Sequence, residues 1–417
     1  MLKFITKHRA TALGVSAAAI LVACGGGGST TATPTTPIVI APPAPTPTPV
    51  PTPDPDPQPT STPTSEATTL TEGLFRDTFR NDFKIGAALS SYQINNSDFN
   101  GVLAAAQYNS ISPIFQLKAN VIAPTEGVYD FEQADILVDW AIANGMDVRG
   151  HTLVWHESTP DYFYEGTPEE IRARLEDYVT TVVEHFKGRI QVWDVVNEVV
   201  SVDIFRGDAG IGPDRRSRWY EAVGSADYID WAFHAARAAD PDALLFINEY
   251  STENAIKKPW LLEIVQRLQD RGVPIDGVGH QFHLFLGSDP AELMQAVDDV
   301  DNQFMGLINH ITELDIDFYN DPGTCWDTMT NCDPDLGPVA PASMLATQAQ
   351  IMRDVYAGLR QRPSVTSVTT WGVTDNESWL NNSPTVRYNY PLLFDRDGEP
   401  KPAFWAVVDP DYVIPTE

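Results

Sequence analysis

An α/β fold, a (β/α)8 TIM barrel formed as one domain, is predicted by three features of the sequence. Short apolar, β-branched segments recur at 84–89, 110–117, 147–155, 190–198, 244–250, 277–284, 306–315 and 365–373. The stretches between them carry apolar residues at helical spacing, with start and stop signals. The region that holds them, of about 340 residues, suits one large domain better than two small ones. Near-continuous apolar strands separated by helices imply a parallel sheet buried on both faces, and eight such units in this length imply closure into a barrel. A doubly wound open sheet is the alternative, but no Gly-rich phosphate loop follows the first strand.

Along the chain, residues 1–23 read as a secretory signal: Lys3, Lys7 and Arg9 precede an apolar run from Thr11 to Val22 that is too short to span a bilayer. The run ends Leu21-Val22-Ala23-Cys24, which resembles a bacterial lipoprotein box and implies a lipid on Cys24. Residues 24–72 continue with Gly25 to Gly28 and a Pro/Thr stretch to about Ser65. That composition has too little apolar mass to offset ordering entropy and reads as a tether. At about 3.1 Å per residue in polyproline II, roughly 40 residues would reach on the order of 100 Å. The expected place is extracytoplasmic, lipid-anchored to a bacterial membrane, at the cell surface or in the periplasm.

Residues 73–417 are globular in composition. The best helix start is Thr167-Pro168-Glu169-Glu170, a capping box with Pro at the first helical position. Ile171, Leu175, Tyr178, Val182 and Phe186 follow at helical spacing and Gly188 closes the helix. The segment from Pro259 to Gly272 repeats the design. The net charge of −30 would repel polyphosphate, so nucleic acid is excluded as a partner. Cys325 and Cys332 are a candidate disulfide, stabilising by about 2 to 3 kcal/mol in the chain-entropy model, with two free thiols as the alternative. No zinc-type Cys/His spacing accompanies them, and neither metal nor cofactor is expected.

The predicted fourth strand ends Val192-Trp193-Asp194-Val195-Val196-Asn197-Glu198, and the seventh Ile311-Thr312-Glu313-Leu314-Asp315. C-terminal strand ends form the active face of such a barrel. Burying a carboxylate beside apolar neighbours is costly, so a glutamate at each of two strand ends calls for a use. Hydrolysis of a glycosidic bond needs such a pair, one carboxyl to protonate the leaving oxygen and one to attack or to activate water.

These motifs resemble glycoside hydrolase family 10, the endo-β-1,4-xylanase family of retaining barrel glycosidases. The resemblance rests on Gly150-His151-Thr152-Leu153-Val154-Trp155-His156, the run ending Asn197-Glu198, Gly279-His280-Gln281-Phe282-His283, the run holding Glu313, Trp371-Gly372-Val373-Thr374-Asp375, and Pro391-Leu392-Leu393-Phe394-Asp395 with Lys401-Pro402-Ala403. It implies an endo-acting retaining hydrolase that cleaves xylan by double displacement, expected to be a monomer. Glu198 would be the acid/base, with a pKa raised while Glu313, the nucleophile, is ionised. Asn197 would hold the sugar 2-hydroxyl at subsite −1, Gln281 would bond near Glu198, and His283, oriented by Asp315, would position Glu313. Lys118, His151 and Trp155 would line the glycone side, Trp371 and Trp379 would pack over the −1 sugar, and Tyr250 and Asn248 would end the fifth strand at the cleft. The plainer alternative is that these histidines and tryptophans are ordinary core residues.

Where the family usually ends its second strand Thr-Pro-Glu-Asn-x-x-Lys-Trp, this chain has Ser112-Pro113-Ile114-Phe115-Gln116-Leu117-Lys118-Ala119. The family's Gln after Trp-His-Ser is Ser158 here. Ile114, Phe115 and Ser158 would therefore leave an altered −2 subsite, suited to a mixed-linkage or substituted xylan or to a modified sugar. Two further readings stay open: a β-glucanase on the same machinery, and a surface glycan-binding lipoprotein that has lost catalysis. The second would be expected to lack one of Glu198, Glu313, His283 or Gln281.

Overall fold

The computed structural model describes residues 73–94, 99–203, 205–207 and 210–415. The signal segment, Cys24 and the tether lie outside the described residues. Eight strands form the barrel: β1 Lys84–Leu89, β2 Ser110–Pro113, β3 Asp147–Gly150 and β4 Val192–Asn197, followed by β5 Leu244–Glu249, β6 Gly277–His280, β7 Ile308–Asp317 and β8 Val365–Thr370. Each pairs in parallel with the next, and β8 returns to β1 with Val368 opposite Ile85, which closes the ring.

All eight predicted strands are present, and their bounds differ for local reasons. The second ends at Pro113, whose nitrogen carries no hydrogen for the ladder. The chain then turns, with Ile114 N donating to Leu89 O and Lys118 N to Phe115 O, which leaves Ile114 and Phe115 in a loop at the barrel mouth. The third and sixth predicted strands are each interrupted, and they resume as two short strands, Val154–Trp155 beside β4 and His283–Phe285 beside β7. Those two extensions raise the wall above the strand ends.

Helices cover the outside. In the helix Pro168–Phe186 the Thr167 side chain accepts from Glu170 N, and the Glu170 carboxylate accepts from Thr167 N at 2.8 Å, so the capping box is complete. Its five predicted apolar residues are all buried, each removal from water stabilising by about 1.5 to 3 kcal/mol. The helix expected from Pro259 begins instead at Lys257 and ends at Asp270. Asn254 Oδ1 accepts from the backbone of Ile256 and Lys257, which satisfies the first turn two residues earlier than Pro259 suggested.

Candidate active site

At the C-terminal ends of the strands lies a cleft of about 540 Å³, lined by Glu198 and Glu313 and by residues from the loops around them. Glu198 follows the last residue of β4 with φ 58°, a left-handed conformation uncommon outside glycine. Two contacts hold that turn: Glu198 N donates to Asn248 O at 2.9 Å, and Val200 N donates to Glu249 Oε2 at 2.9 Å. The carboxylate then accepts from Trp155 Nε1 at 2.8 Å and from Gln281 Nε2 at 3.2 Å.

Glu313 lies within β7 and is nearly buried. Asn248 Nδ2 donates to its Oε1 at 2.7 Å, and His283 Nε2 stands 3.3 Å from its Oε2. His283 Nδ1 is 2.8 Å from Asp315 Oδ1, and the other Asp315 oxygen accepts from Trp379 Nε1 at 2.9 Å. Burial alone would depress the His283 pKa, but Asp315 and Glu313 lift it to about 10, so the ring is an imidazolium at neutral pH.

One amide joins the two carboxyls. Asn248 Nδ2 also reaches Asn197 Oδ1 at 2.9 Å, and Gln281 Nε2 reaches the same oxygen at 3.2 Å. With its oxygen engaged, Asn197 offers its NH2 group to the cleft. Thr312 Oγ1 orients Asn248 from behind at 2.7 Å, and a Cβ at Gly279 would collide with the Asn248 carboxamide, so the glycine is what admits it.

Burial pushes the Glu198 carboxyl up, but His156, Arg215 and the hydrogen bonds from Trp155 and Gln281 outweigh it and leave the pKa below the usual value. The elevation expected from the family resemblance is therefore not present in this structure. His156 is itself pushed down to about 4 by burial, so above that pH it is neutral and the persistent cationic pull comes from Arg215.

Lys118, His151, Trp155 and Trp371 line the same cleft. His151 Nδ1 is 2.9 Å from Asp194 Oδ2, and Arg149 forms a doubly bonded buried pair with the same carboxylate. Burial would raise the Asp194 pKa, but Arg149 and His151 bring it below the ordinary range. The Trp371 ring stands edge-on to His151 at 5.2 Å. Lys118 Nζ lies 4.5 Å from the Trp155 ring centroid, its pKa lowered by burial against the pull of Glu313, Glu198 and Glu157. Ile114 and Phe115 face the cleft, Phe115 with 48 % of its surface exposed. Ser158 does not line the cleft. Its carbonyl accepts from Asn120 N at 3.0 Å, and from that turn it is Glu157 that faces in.

Several further site residues lie outside the motifs that carry the family resemblance. Arg215 donates to Tyr250 Oη at 2.7 Å, and Lys257, fully buried, stands 2.7 Å from Glu249 Oε1 behind the Glu198 turn. Phe205, Trp326 and Met329 line the cleft from loops after β4 and β7. Cys325 and Cys332 are bonded to each other. Among the described residues the one metal-like cluster is Asp321 with these two cysteines, and their sulfurs are taken by that bond.

Residues 75–410 match the sequence family Glycosyl hydrolase family 10. The chain is similar to a β-1,4-xylanase of Dictyoglomus thermophilum, 39 % identical over 340 residues that cover 80 % of this chain and 90 % of that one. It is also similar to a thermostable celloxylanase of Thermoclostridium stercorarium, 38 % identical over 354 residues, covering 80 % and 86 %. Among solved structures, xylanase B from Clostridium stercorarium F9 superposes with a TM-score of 0.72 at 37 % identity, covering 81 % of this chain and 99 % of that one.

Proposed function

The chain belongs to glycoside hydrolase family 10, and we propose that it is an endo-acting retaining xylanase in which Glu313 is the nucleophile and Glu198 the acid/base. The observation that carries the assignment is the shared amide hub: Asn248 bonds Glu313 and Asn197, and Gln281 bonds Asn197 and Glu198, so the two carboxyls are fixed relative to one another. The environments separate their roles. Glu313 has an imidazolium 3.3 Å from its Oε2, a positive charge beside the carboxylate that attacks.

In the first step Glu313 attacks the anomeric carbon and the departing glycosidic oxygen takes a proton from Glu198. A sugar seated at −1 excludes water from Glu198, and beside ionised Glu313 this favours the protonated form. Once Glu313 is esterified its charge is gone, and Glu198 returns to the carboxylate held by Trp155, Gln281 and Arg215, ready to take a proton from water. Asn197, through its free NH2 face, would hold the 2-hydroxyl, while Lys118, His151 and Trp371 surround the same ring.

A modified preference at −2 is favoured by Ile114 and Phe115, which present apolar surface where a hydroxyl-binding pair would stand in the family. A panel of linear β-1,4-xylan, mixed-linkage xylan, glucuronoxylan and β-glucan, with Glu198→Ala and Glu313→Ala controls, tests both proposals. Cleavage of β-1,4-xylan abolished by both substitutions supports the xylanase. Cleavage confined to another glycan moves the substrate and leaves the mechanism. No cleavage of any favours a glycan-binding lipoprotein.

For location we propose lipidation of Cys24 and a monomeric enzyme held outside the cytoplasm. The support is the sequence of residues 1–28 and the Pro/Thr tether. Cys24→Ser should move the enzyme from the membrane fraction to the soluble one, and light scattering should give a single-chain mass.

A further inference from the structure

Glu198 holds a left-handed backbone, φ 58°, where β4 gives way to its loop, and a side chain keeps that conformation only where its surroundings impose it. What imposes it comes from the end of β5. Glu198 N donates to Asn248 O, and two residues further on Val200 N donates to Glu249 Oε2. Consecutive residues of β5 thus hold the turn at two points. The second hold is a side chain, and it is only as firm as the Glu249 carboxylate itself.

That carboxylate is fully buried, so solvent does not orient it. Its Oε1 accepts from Tyr250 N at 3.2 Å and stands 2.7 Å from Lys257 Nζ. Lys257 is fully buried too, at the start of the helix Lys257–Asp270, where Asn254 Oδ1 accepts from its backbone N–H at 3.2 Å. The ammonium also meets the Tyr250 ring, with Nζ 2.9 Å from the centroid, and Arg215 donates to the hydroxyl of that ring at 2.7 Å. Lys257 lines no part of the cleft, so it is out of reach of a substrate there. A buried ion pair is a poor source of net stability compared with apolar side chains of the same volume. What this one supplies is orientation: closed off from solvent, the cation sets which Glu249 oxygen turns to the helix and which to Val200 N.

We propose that Lys257 is a positioning residue for the acid/base: its ammonium fixes Glu249, Glu249 holds Val200 N, and the turn so held aims the Glu198 carboxyl at the departing glycosidic oxygen. The inference rests on the reading of Glu198 as the acid/base. Loosening the turn takes nothing from Glu313, which is held by the Asn248 side chain and His283. The cost therefore falls on proton transfer to the leaving group and not on the attack.

The test compares two donors with the same glycone on one preparation of the whole enzyme. The leaving oxygen of phenyl β-xylobioside needs the proton, and that of 2,4-dinitrophenyl β-xylobioside departs without it. Burial lowers the Lys257 pKa to about 8 against the pull of Glu249, so measurements well below that pH keep its charge. In Lys257→Met, kcat/KM on the phenyl donor should fall about tenfold relative to that on the dinitrophenyl donor, part of what a general acid contributes. The ratio does not depend on how much of the enzyme is folded. The double variant Lys257→Met, Glu249→Gln leaves no unpaired charge in the pair and should recover stability while keeping the lowered ratio, which separates aim from stability. A wild-type ratio in Lys257→Met, or a double variant that returns to it, overturns the role of Lys257. Glu198→Ala is the control for the underlying reading: if it too gives the wild-type ratio, Glu198 is not the acid and that assignment is what fails.

Discussion

His283 stands between Asp315 and Glu313, with Nδ1 2.8 Å from the first carboxylate and Nε2 3.3 Å from the second. Its charge is therefore shared by a fully buried aspartate and a nearly buried glutamate. Replacing Asp315 by Asn should drop kcat about 10- to 100-fold, the range for groups that orient a reacting residue. KM should change less, because Asp315 does not reach the sugar. Steady-state kinetics on xylo-oligosaccharides check the split.

The same pair fixes a pH dependence of stability. The His283 pKa is raised from 6.5 to about 10, so its contribution is fully present below pH 6.5 and is lost as the pH rises toward 10. Denaturation midpoints across that window should fall with pH in the wild type. In Asp315→Asn they should fall less, since the largest source of the shift has been removed.

Arg215 acts on the other carboxyl. Its cation is the charge that holds the Glu198 pKa down once His156 is neutral. Arg215→Met removes it, the carboxylate loses stabilisation, and the Glu198 pKa rises. The alkaline limb of the kcat/KM profile, which reports the essential acid, should move to higher pH. An alkaline limb that stays in place, or moves down, would show that another group sets it.

Lys257 and Glu249 are a pair with no exposed surface, and Glu249 anchors the turn after Glu198 through Val200 N. Lys257→Met leaves the Glu249 charge buried without its partner, which costs about 3 to 5 kcal/mol. Urea denaturation should show that loss, and Glu249→Gln added to Lys257→Met should recover part of it.

At the other end of the cleft, Ile114→Glu with Phe115→Asn restores the polar pair that the family usually carries. If the apolar pair sets preference, kcat/KM on linear β-1,4-xylo-oligosaccharides should rise about tenfold relative to the preferred glycan. An unchanged ratio would leave Ile114 and Phe115 without a role in selection.

How much of this was legible in the sequence depended on the range of the signal. Strands and capping boxes are local: Thr167 and Glu170 announce a helix start because both partners lie within one turn. Glu198 and Glu313 were singled out because a carboxylate in or directly after an apolar strand needs a reason, although Glu313 lies within β7 rather than at its end. Arg215 was not legible, since its partner Tyr250 and the Glu198 field meet it only after the loop has folded back. Nor was the lowered Glu198 pKa, to which residues from three distant segments, Trp155 with His156, Arg215 and Gln281, contribute. Ser158 misled for the opposite reason: its place beside Trp155 and His156 suggested the cleft, but the turn points its neighbour Glu157 inward instead.

The most direct test of the double-displacement assignment is to trap the intermediate. An activated 2-deoxy-2-fluoro-β-xylobioside, incubated with the enzyme and followed by intact mass and peptide mapping, should add one xylobiosyl group to the peptide holding Glu313, with turnover lost in proportion. An adduct on a different carboxylate, or rapid hydrolysis of ordinary substrate with no adduct from this one, would contradict Glu313 as the nucleophile.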